Sequence, residues 1–297
     1  MRTVYLGTSD FAAVLLRRLA QSAHRPSLVI TRPDRRRGRG QRVSSPPVAG
    51  AARDLGIALE QPEAVNDDAV VRRIAAERPE AVCVCAFGAL IREPLLSSHE
   101  LVNVHPSLLP RWRGAAPLER AIQAGDRSTG VSIMRLVAEL DAGPVYRQGE
   151  LALAGDEDCA ALAARLAPLA ADLLGSVLDD CPEPWEQPDA GVTYAAKVER
   201  WERELDPARP VAELARTVRA LTPHIGAWVA TPEGERLGVR RARVAADAIA
   251  AVPGALREDD GALLLGASDG ALELLEVQPA GGRAMDAGSY LRGRVRH

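Results

Sequence analysis

Val102-Asn103-Val104-His105-Pro106-Ser107-Leu108-Leu109-Pro110 is a short apolar strand that runs into a proline-rich turn. Alternate residues of a strand point to one side, so Asn103 and His105 converge on one small volume where the strand ends. Working outward, the same kind of short apolar run recurs at residues 3–6, 28–31, 81–86 and 130–137. Between these runs lie helix-like segments: from a Gly-Thr-Ser-Asp turn with Ser9 or Asp10 as N-cap through about Ala20, then 48–55, 67–77 and 118–124. This alternation predicts an α/β fold, an open, mostly parallel sheet with helices on both faces. Ligands of such sheets bind beyond the carboxyl ends of the strands, where Asn103 and His105 stand. No GxGxxG follows the first strand, so the rhythm alone does not imply NAD.

A helix over 157–178 is expected to close the first domain at about residue 180. Cys181-Pro182-Glu183-Pro184-Trp185-Glu186-Gln187-Pro188 then carries three prolines and no periodicity, which reads as a linker. The expected organisation is 1–180, a linker over 181–205, and a second domain over 206–297. In the latter, 211–221 is an amphipathic helix. Beyond Gly226, turns at 232–235, 259–261 and 269–270 separate short strands, as in a small barrel or sandwich.

The 297 residues carry a net charge of −3, which argues against a surface uniformly built for nucleic acid. The charge is uneven, however: Arg32, Arg35, Arg36, Arg37, Arg39 and Arg42 crowd one window relieved only by Asp34. Lys197 is the sole lysine, so a single arginine says little here and a cluster says more. Four cysteines lack a CxxC pair, and five histidines show no metal-ligand spacing; buried free thiols in a reducing compartment are expected, and no metal. No apolar run is read as long enough for a membrane span, and the N-terminus lacks the apolar stretch of a signal peptide, so the expected location is cytoplasmic.

Chemically, Asn103 offers a neutral amide donor and His105 a group that can be cationic near neutral pH. Such a pair can hold a developing oxyanion while a proton moves. Imidazolium is the stronger partner for an oxyanion, and Asp141, in Glu139-Leu140-Asp141-Ala142-Gly143-Pro144, is the candidate carboxylate to support it. Taken alone, Asn-x-His and Asp-Ala-Gly are also ordinary strand-end and turn sequences.

The longer run 103–117, NVHPSLLPRWRGAAP, resembles the signature of the formyltransferases that use 10-formyltetrahydrofolate, most closely the methionyl-tRNA formyltransferases. Further matches follow in order: Gly7-Thr8-Ser9-Asp10-Phe11-Ala12, Arg32-Pro33-Asp34-Arg35 with Gly38-Arg39-Gly40, Leu140-Asp141-Ala142-Gly143, Val192-Thr193-Tyr194-Ala195 and Gln278-Pro279-Ala280-Gly281. The resemblance implies a Rossmann-like formyltransferase domain followed by a small OB-like β-barrel that binds tRNA. It implies formyl transfer from 10-formyltetrahydrofolate to the α-amine of methionyl initiator tRNA, for translation initiation, by a monomer without metal. Asn103, His105 and Asp141 match the family's catalytic constellation, with Asp141 positioning the imidazole and an ordered water. Ser107, Leu108, Leu109 and Pro110, with Phe87 and Leu90, match the walls of the folate site. Arg35, Arg36, Arg37, Arg39 and Arg42 fall where the family engages the acceptor stem, Arg39 at the stem's end, with Trp112 and Arg113 near the acceptor. The chain departs from the family at Phe87, often Tyr, and at Ser9 and Arg92, often Pro.

Three other readings compete. A glycinamide ribonucleotide formyltransferase would end near the linker. A sugar-nucleotide N-formyltransferase shares the constellation and can carry C-terminal additions. An inactive RNA-binding homologue would not need Asn103, His105 and Asp141 intact. The arginine window and the QPAGGRAM segment favour tRNA.

Overall fold

The first strand, β1 (Thr3–Gly7), is buried along its whole length, as a central strand covered on both faces must be. In the computed structural model, which describes residues 1–37, 42–245 and 252–294, it leads directly into α1 (Asp10–Leu19). Ser9 caps that helix, its Oγ accepting the Ala12 N–H at 3.2 Å. β2 (Pro26–Ile30) follows, then two three-residue strands, β3 (Arg35–Arg37) and β4 (Arg42–Ser44), paired antiparallel. α2 (Pro47–Asp54) opens on a proline, whose missing N–H costs nothing in a first turn. β5 (Ala58–Glu60), α3 (Asp68–Ala76), the fully buried β6 (Ala81–Cys85), α4 (Leu95–Ser98) and the fully buried β7 (Leu101–His105) come next. After β8 (Arg113–Gly114), α5 (Pro117–Ala124) ends on Gly125 at φ 72°, the left-handed conformation that glycine reaches freely. β9 (Ser128–Arg135) and β10 (Val145–Ala152) complete the sheet.

The seven strands are ordered β10-β9-β7-β6-β1-β2-β5. β1 is parallel to β2 and β6, β2 to β5 and β6 to β7, whereas β7 and β9 are antiparallel. The mostly parallel α/β sheet is therefore present. Chain order reverses direction across the sheet between β1 and β6, and the crevice beyond such a switch is the standard ligand position. Val4, Leu6, Leu28, Ile30, Val82 and Val84 supply the core on one face.

α6 (Cys159–Asp180) is 22 residues long, and by length and composition it is apolar enough to cross a membrane. The expectation that no run reaches span length is corrected by this helix. One stripe of it is buried in the fold, where Leu166, Ala167, Ala170, Leu174 and Val177 recur at helical spacing. A Cβ added to Gly149 of β10 would meet Leu169 at 2.8 Å and Leu173 at 3.0 Å, so the helix lies close on the sheet.

The chain divides into two compact units that do not follow chain order. One comprises Met1–Gly114, Thr129–Leu151 and Ala163–Tyr194; the other comprises Ala115–Ser128, Ala152–Leu162 and Ala195–His297. Past β11 (Tyr194–Ala195), the second unit carries α7 (Val211–Leu221), on the residues expected. β12 (Ala227–Ala230), β13 (Arg236–Val244), β14 (Leu256–Asp259), β15 (Ala262–Gly266), β16 (Ala271–Pro279) and β17 (Met285–Asp286) follow, then α8 (Ala287–Arg294). The strands form a six-stranded sheet in the order β12-β13-β16-β15-β14, with β17 beside β16, every pair antiparallel. Leu214, Val218 and Leu221 of α7 join Leu237, Val239, Leu263, Leu272 and Val277 in one core.

Candidate active site

Asn103 and His105 both lie on β7, opposite Met134 and Ser132 of β9, so their side chains leave the same face of the sheet. Asn103 is 8% exposed and His105 4%. The Asn103 amide makes no side-chain hydrogen bond among the described residues, which leaves its donors free for a ligand. Asn103 is not among the buried side chains that lack a partner, so its amide keeps a solvent-accessible face from which an incoming oxygen can reach it.

Both ring nitrogens of His105 face acceptors. Nε2 lies 2.8 Å from the Trp112 carbonyl, so it carries a proton and donates. Nδ1 lies 3.6 Å from Asp141 Oδ2, a pair whose side chains are only 5% and 12% exposed. The contact to Asp141 is long for a direct hydrogen bond and suits an electrostatic pairing.

Asp141 reaches this place through an unusual backbone. Its φ is 47°, uncommon for a residue with a side chain, and Oδ2 also accepts the Gly114 N–H at 2.8 Å. A Cβ on Gly143 would lie 2.0 Å from the Arg135 carbonyl oxygen, so only glycine lets the Asp141 loop approach β9. Sequence reading missed Gln187. Its amide nitrogen donates to the Asp141 and Gly143 carbonyls at 2.8 and 2.7 Å, while its oxygen accepts from Arg113 Nε and Nη2 at 3.0 and 2.8 Å. No residue pattern marks this; a glutamine in a proline-rich stretch reads as spacer. Thr193 is a second such tie, its Oγ1 accepting the Trp112 N–H and its carbonyl the Arg113 N–H.

The turn after β7 is held by a hydroxyl relay. Ser107, fully buried, donates from Oγ to the Arg111 carbonyl; Ser132 Oγ donates to the Ser107 carbonyl, accepts the Leu109 N–H, and accepts from Gln148. Leu109 is buried against Met134 and Val145, and Leu108 lies against Gly130. Phe87 is part of the core of the sheet, with its carbonyl accepting the Thr8 hydroxyl at 2.6 Å; Leu90 is 58% exposed. The Phe87–Thr8 bond spans the ends of β6 and β1, at the switch point.

The arginine window is a ribbon, where a charged loop was expected. Arg35 faces Ser44, Arg36 faces Val43 and Arg37 faces Arg42 in its register. Arg35 pairs with Glu63 at 2.7 Å, both side chains more than half exposed. Arg36 is exposed. Asp34 accepts from Gln61 and Ser45, which hold its carboxyl below the usual range. Arg39, with Gly38 and Gly40, lies outside the described residues.

The formyl transferase family matches residues 1–178, and its C-terminal domain matches residues 197–295. The chain belongs to the formyl transferase family. It is a formyl-transferring enzyme. The methionyl-tRNA formyltransferase of Halorhodospira halophila is 40% identical over 307 residues, which is 99% of this chain and 96% of that one. Among solved structures, the methionyl-tRNA formyltransferase of Clostridium thermocellum shares the fold with a TM-score of 0.62 at 16% identity, covering 82% of this chain and 94% of that one. HypX of Aquifex aeolicus in complex with tetrahydrofolic acid has a TM-score of 0.67 at 17% identity; the match covers 98% of this chain and 47% of that longer protein.

Proposed function

We propose that this chain transfers the formyl group of 10-formyltetrahydrofolate to the α-amine of methionyl initiator tRNA, in the cytoplasm and as a monomer. The observation that carries the chemistry is the meeting of an unpartnered Asn103 amide, a His105 ring flanked by two acceptors, and Asp141 at the carboxyl end of β7. Near full-length similarity to a methionyl-tRNA formyltransferase supports the acceptor.

The neutral amine attacks the formyl carbon, and the carbonyl oxygen becomes an oxyanion. Asn103 donates to it, and so does the Nδ1–H of His105, which at 3.6 Å from Asp141 is not tied up in a direct hydrogen bond. Asp141 faces the ring electrostatically from the Nδ1 side, and the Trp112 carbonyl fixes its orientation by accepting from Nε2. The intermediate collapses by breaking the carbon–N10 bond; N10 takes a proton and the amine loses one. Folate lies along Ser107-Leu108-Leu109-Pro110, with Phe87 and Leu90 on the opposite wall, in the crevice at the switch point. Ser107 and Phe87 act there through backbone and shape, since both side chains are buried. Arg35, Arg36, Arg37, Arg39 and Arg42 form the arm that meets acceptor-stem phosphates. Catalysis belongs to 1–180, braced by Gln187 and Thr193 from the 181–205 segment, and tRNA contact also to 206–297.

Formyl transfer from 10-formyltetrahydrofolate is to be compared for methionyl initiator tRNA, uncharged tRNA and an amino-sugar nucleotide. Product from the charged tRNA alone is expected. A formylated sugar without tRNA product would replace the acceptor and keep the chemistry; binding of folate and tRNA without any product would make the chain an inactive homologue.

A further inference from the structure

Glu119 in α5, Cys159 at the start of α6 and His224 just beyond α7 are far apart in sequence. Each nevertheless brings one ligand atom to within 4.8 Å of the other two. All three belong to the second compact unit, and among the described residues theirs is the only such group of three or more His, Cys, Asp or Glu side chains. Cys159 is buried and the Glu119 side chain is 13% exposed, whereas that of His224 is half exposed. Glu119 Oε1 and His224 Nε2 are 2.8 Å apart.

We propose that Glu119, Cys159 and His224 bind a divalent ion of the zinc type, in a site separate from formyl transfer. The donor set of one thiolate, one imidazole and one carboxylate selects this class of ion, since calcium and magnesium take oxygen alone. Zinc bonds of about 2.0–2.3 Å place tetrahedral ligands roughly 3.3–3.7 Å from one another. The Cys159 sulfur need close on the other two by about an ångström at most, while the Glu119 and His224 atoms part by about half an ångström, and the half-exposed face at His224 leaves a fourth position for water.

The segments are already held in place without an ion. Arg216 Nε of α7 donates to the Gln123 carbonyl at the end of α5. Thr222 Oγ1 donates to the Arg240 carbonyl, and Arg240 Nη1 donates to the Pro223 carbonyl, fixing the segment that presents His224. Binding releases the thiol proton to solvent, leaves the His224 proton on Nδ1 so that Nε2 ligates in place of its hydrogen bond to Glu119, and fastens three segments of the unit together.

The test uses full-length, untagged, reduced protein stripped of metal by a chelator. Titration with Co²⁺ is expected to give one equivalent and a thiolate-to-cobalt charge-transfer band, with Zn²⁺ displacing the cobalt. Zn²⁺ should raise the midpoint of thermal unfolding. His224→Ala and Cys159→Ser should each weaken binding by at least about tenfold and abolish the thermal shift, while formyl transfer by the metal-free His224→Ala variant stays at the wild-type level. Because His224 is half exposed, that variant folds even where the buried cysteine cannot be changed. Absence of the band, or a band that survives both substitutions, would overturn the proposal and leave a His–Glu ion pair above a buried thiol.

Discussion

His105 Nδ1 stands 3.6 Å from Asp141 Oδ2, and the same oxygen is fixed by the Gly114 N–H. Asp141 therefore acts at a set distance on the ring that faces the reacting carbonyl. Asp141→Asn keeps an acceptor for Gly114 and removes the charge. Turnover should fall on the order of a hundredfold, comparable to loss of an oxyanion donor, with little change in stability. Single-turnover rates beside urea unfolding separate the two effects.

Gln187 is expected to position Asp141 without touching substrate. Gln187→Glu turns the group that donates to two carbonyls into an acceptor, and should lower kcat more than Gln187→Ala does. KM for folate should move little in both. A larger change in KM than in kcat would place Gln187 in binding instead.

Gly143→Ala sets a methyl against the Arg135 carbonyl oxygen. The loop must shift, at a cost of about 1–3 kcal/mol in stability. Formyl transfer should fall further than that cost explains, because Asp141 moves with the loop. Chemical denaturation together with kcat measures both.

For the arginine ribbon, Arg36→Ala should weaken tRNA binding and reduce the slope of log affinity against log salt by about one. Glu63→Ala releases Arg35 from its ion pair and should strengthen binding at low salt. Filter binding over a salt series reads both effects, and kcat at saturating tRNA should be unchanged.

Burial pushes the thiols of Cys83 and Cys85 up to about 12, so neither is thiolate at neutral pH. Cys181 is exposed. Alkylation of the native protein at pH 8 should mark Cys181 first, by mass spectrometry, and reach Cys83 and Cys85 only on unfolding.

Much of the fold was legible because its strands are unbroken apolar runs. β1, β6 and β7 are buried on both faces and announce themselves, and the two-residue period put Asn103 and His105 on one side. β10 was missed because Val145–Ala152 is half polar, as a strand at the sheet's edge is permitted to be. The ribbon of β3 and β4 carries no apolar alternation to read. Within the candidate site, the groups with chemical character are legible in the sequence and those that hold them are not. Gln187 acts through long-range contacts that leave no local pattern, and Thr193 stands in a segment that carries the resemblance without any sign of its role. The Glu119–Cys159–His224 cluster was hidden in the same way, since spacing searches detect only ligands that are near in sequence.

The most direct measurement is the single-turnover rate of formyl transfer to methionyl initiator tRNA by Asn103→Ala and His105→Ala, at saturating 10-formyltetrahydrofolate. Each rate is expected to fall on the order of a hundredfold or more while both substrates still bind. Rates within tenfold of wild type for both variants would contradict their role at the oxyanion.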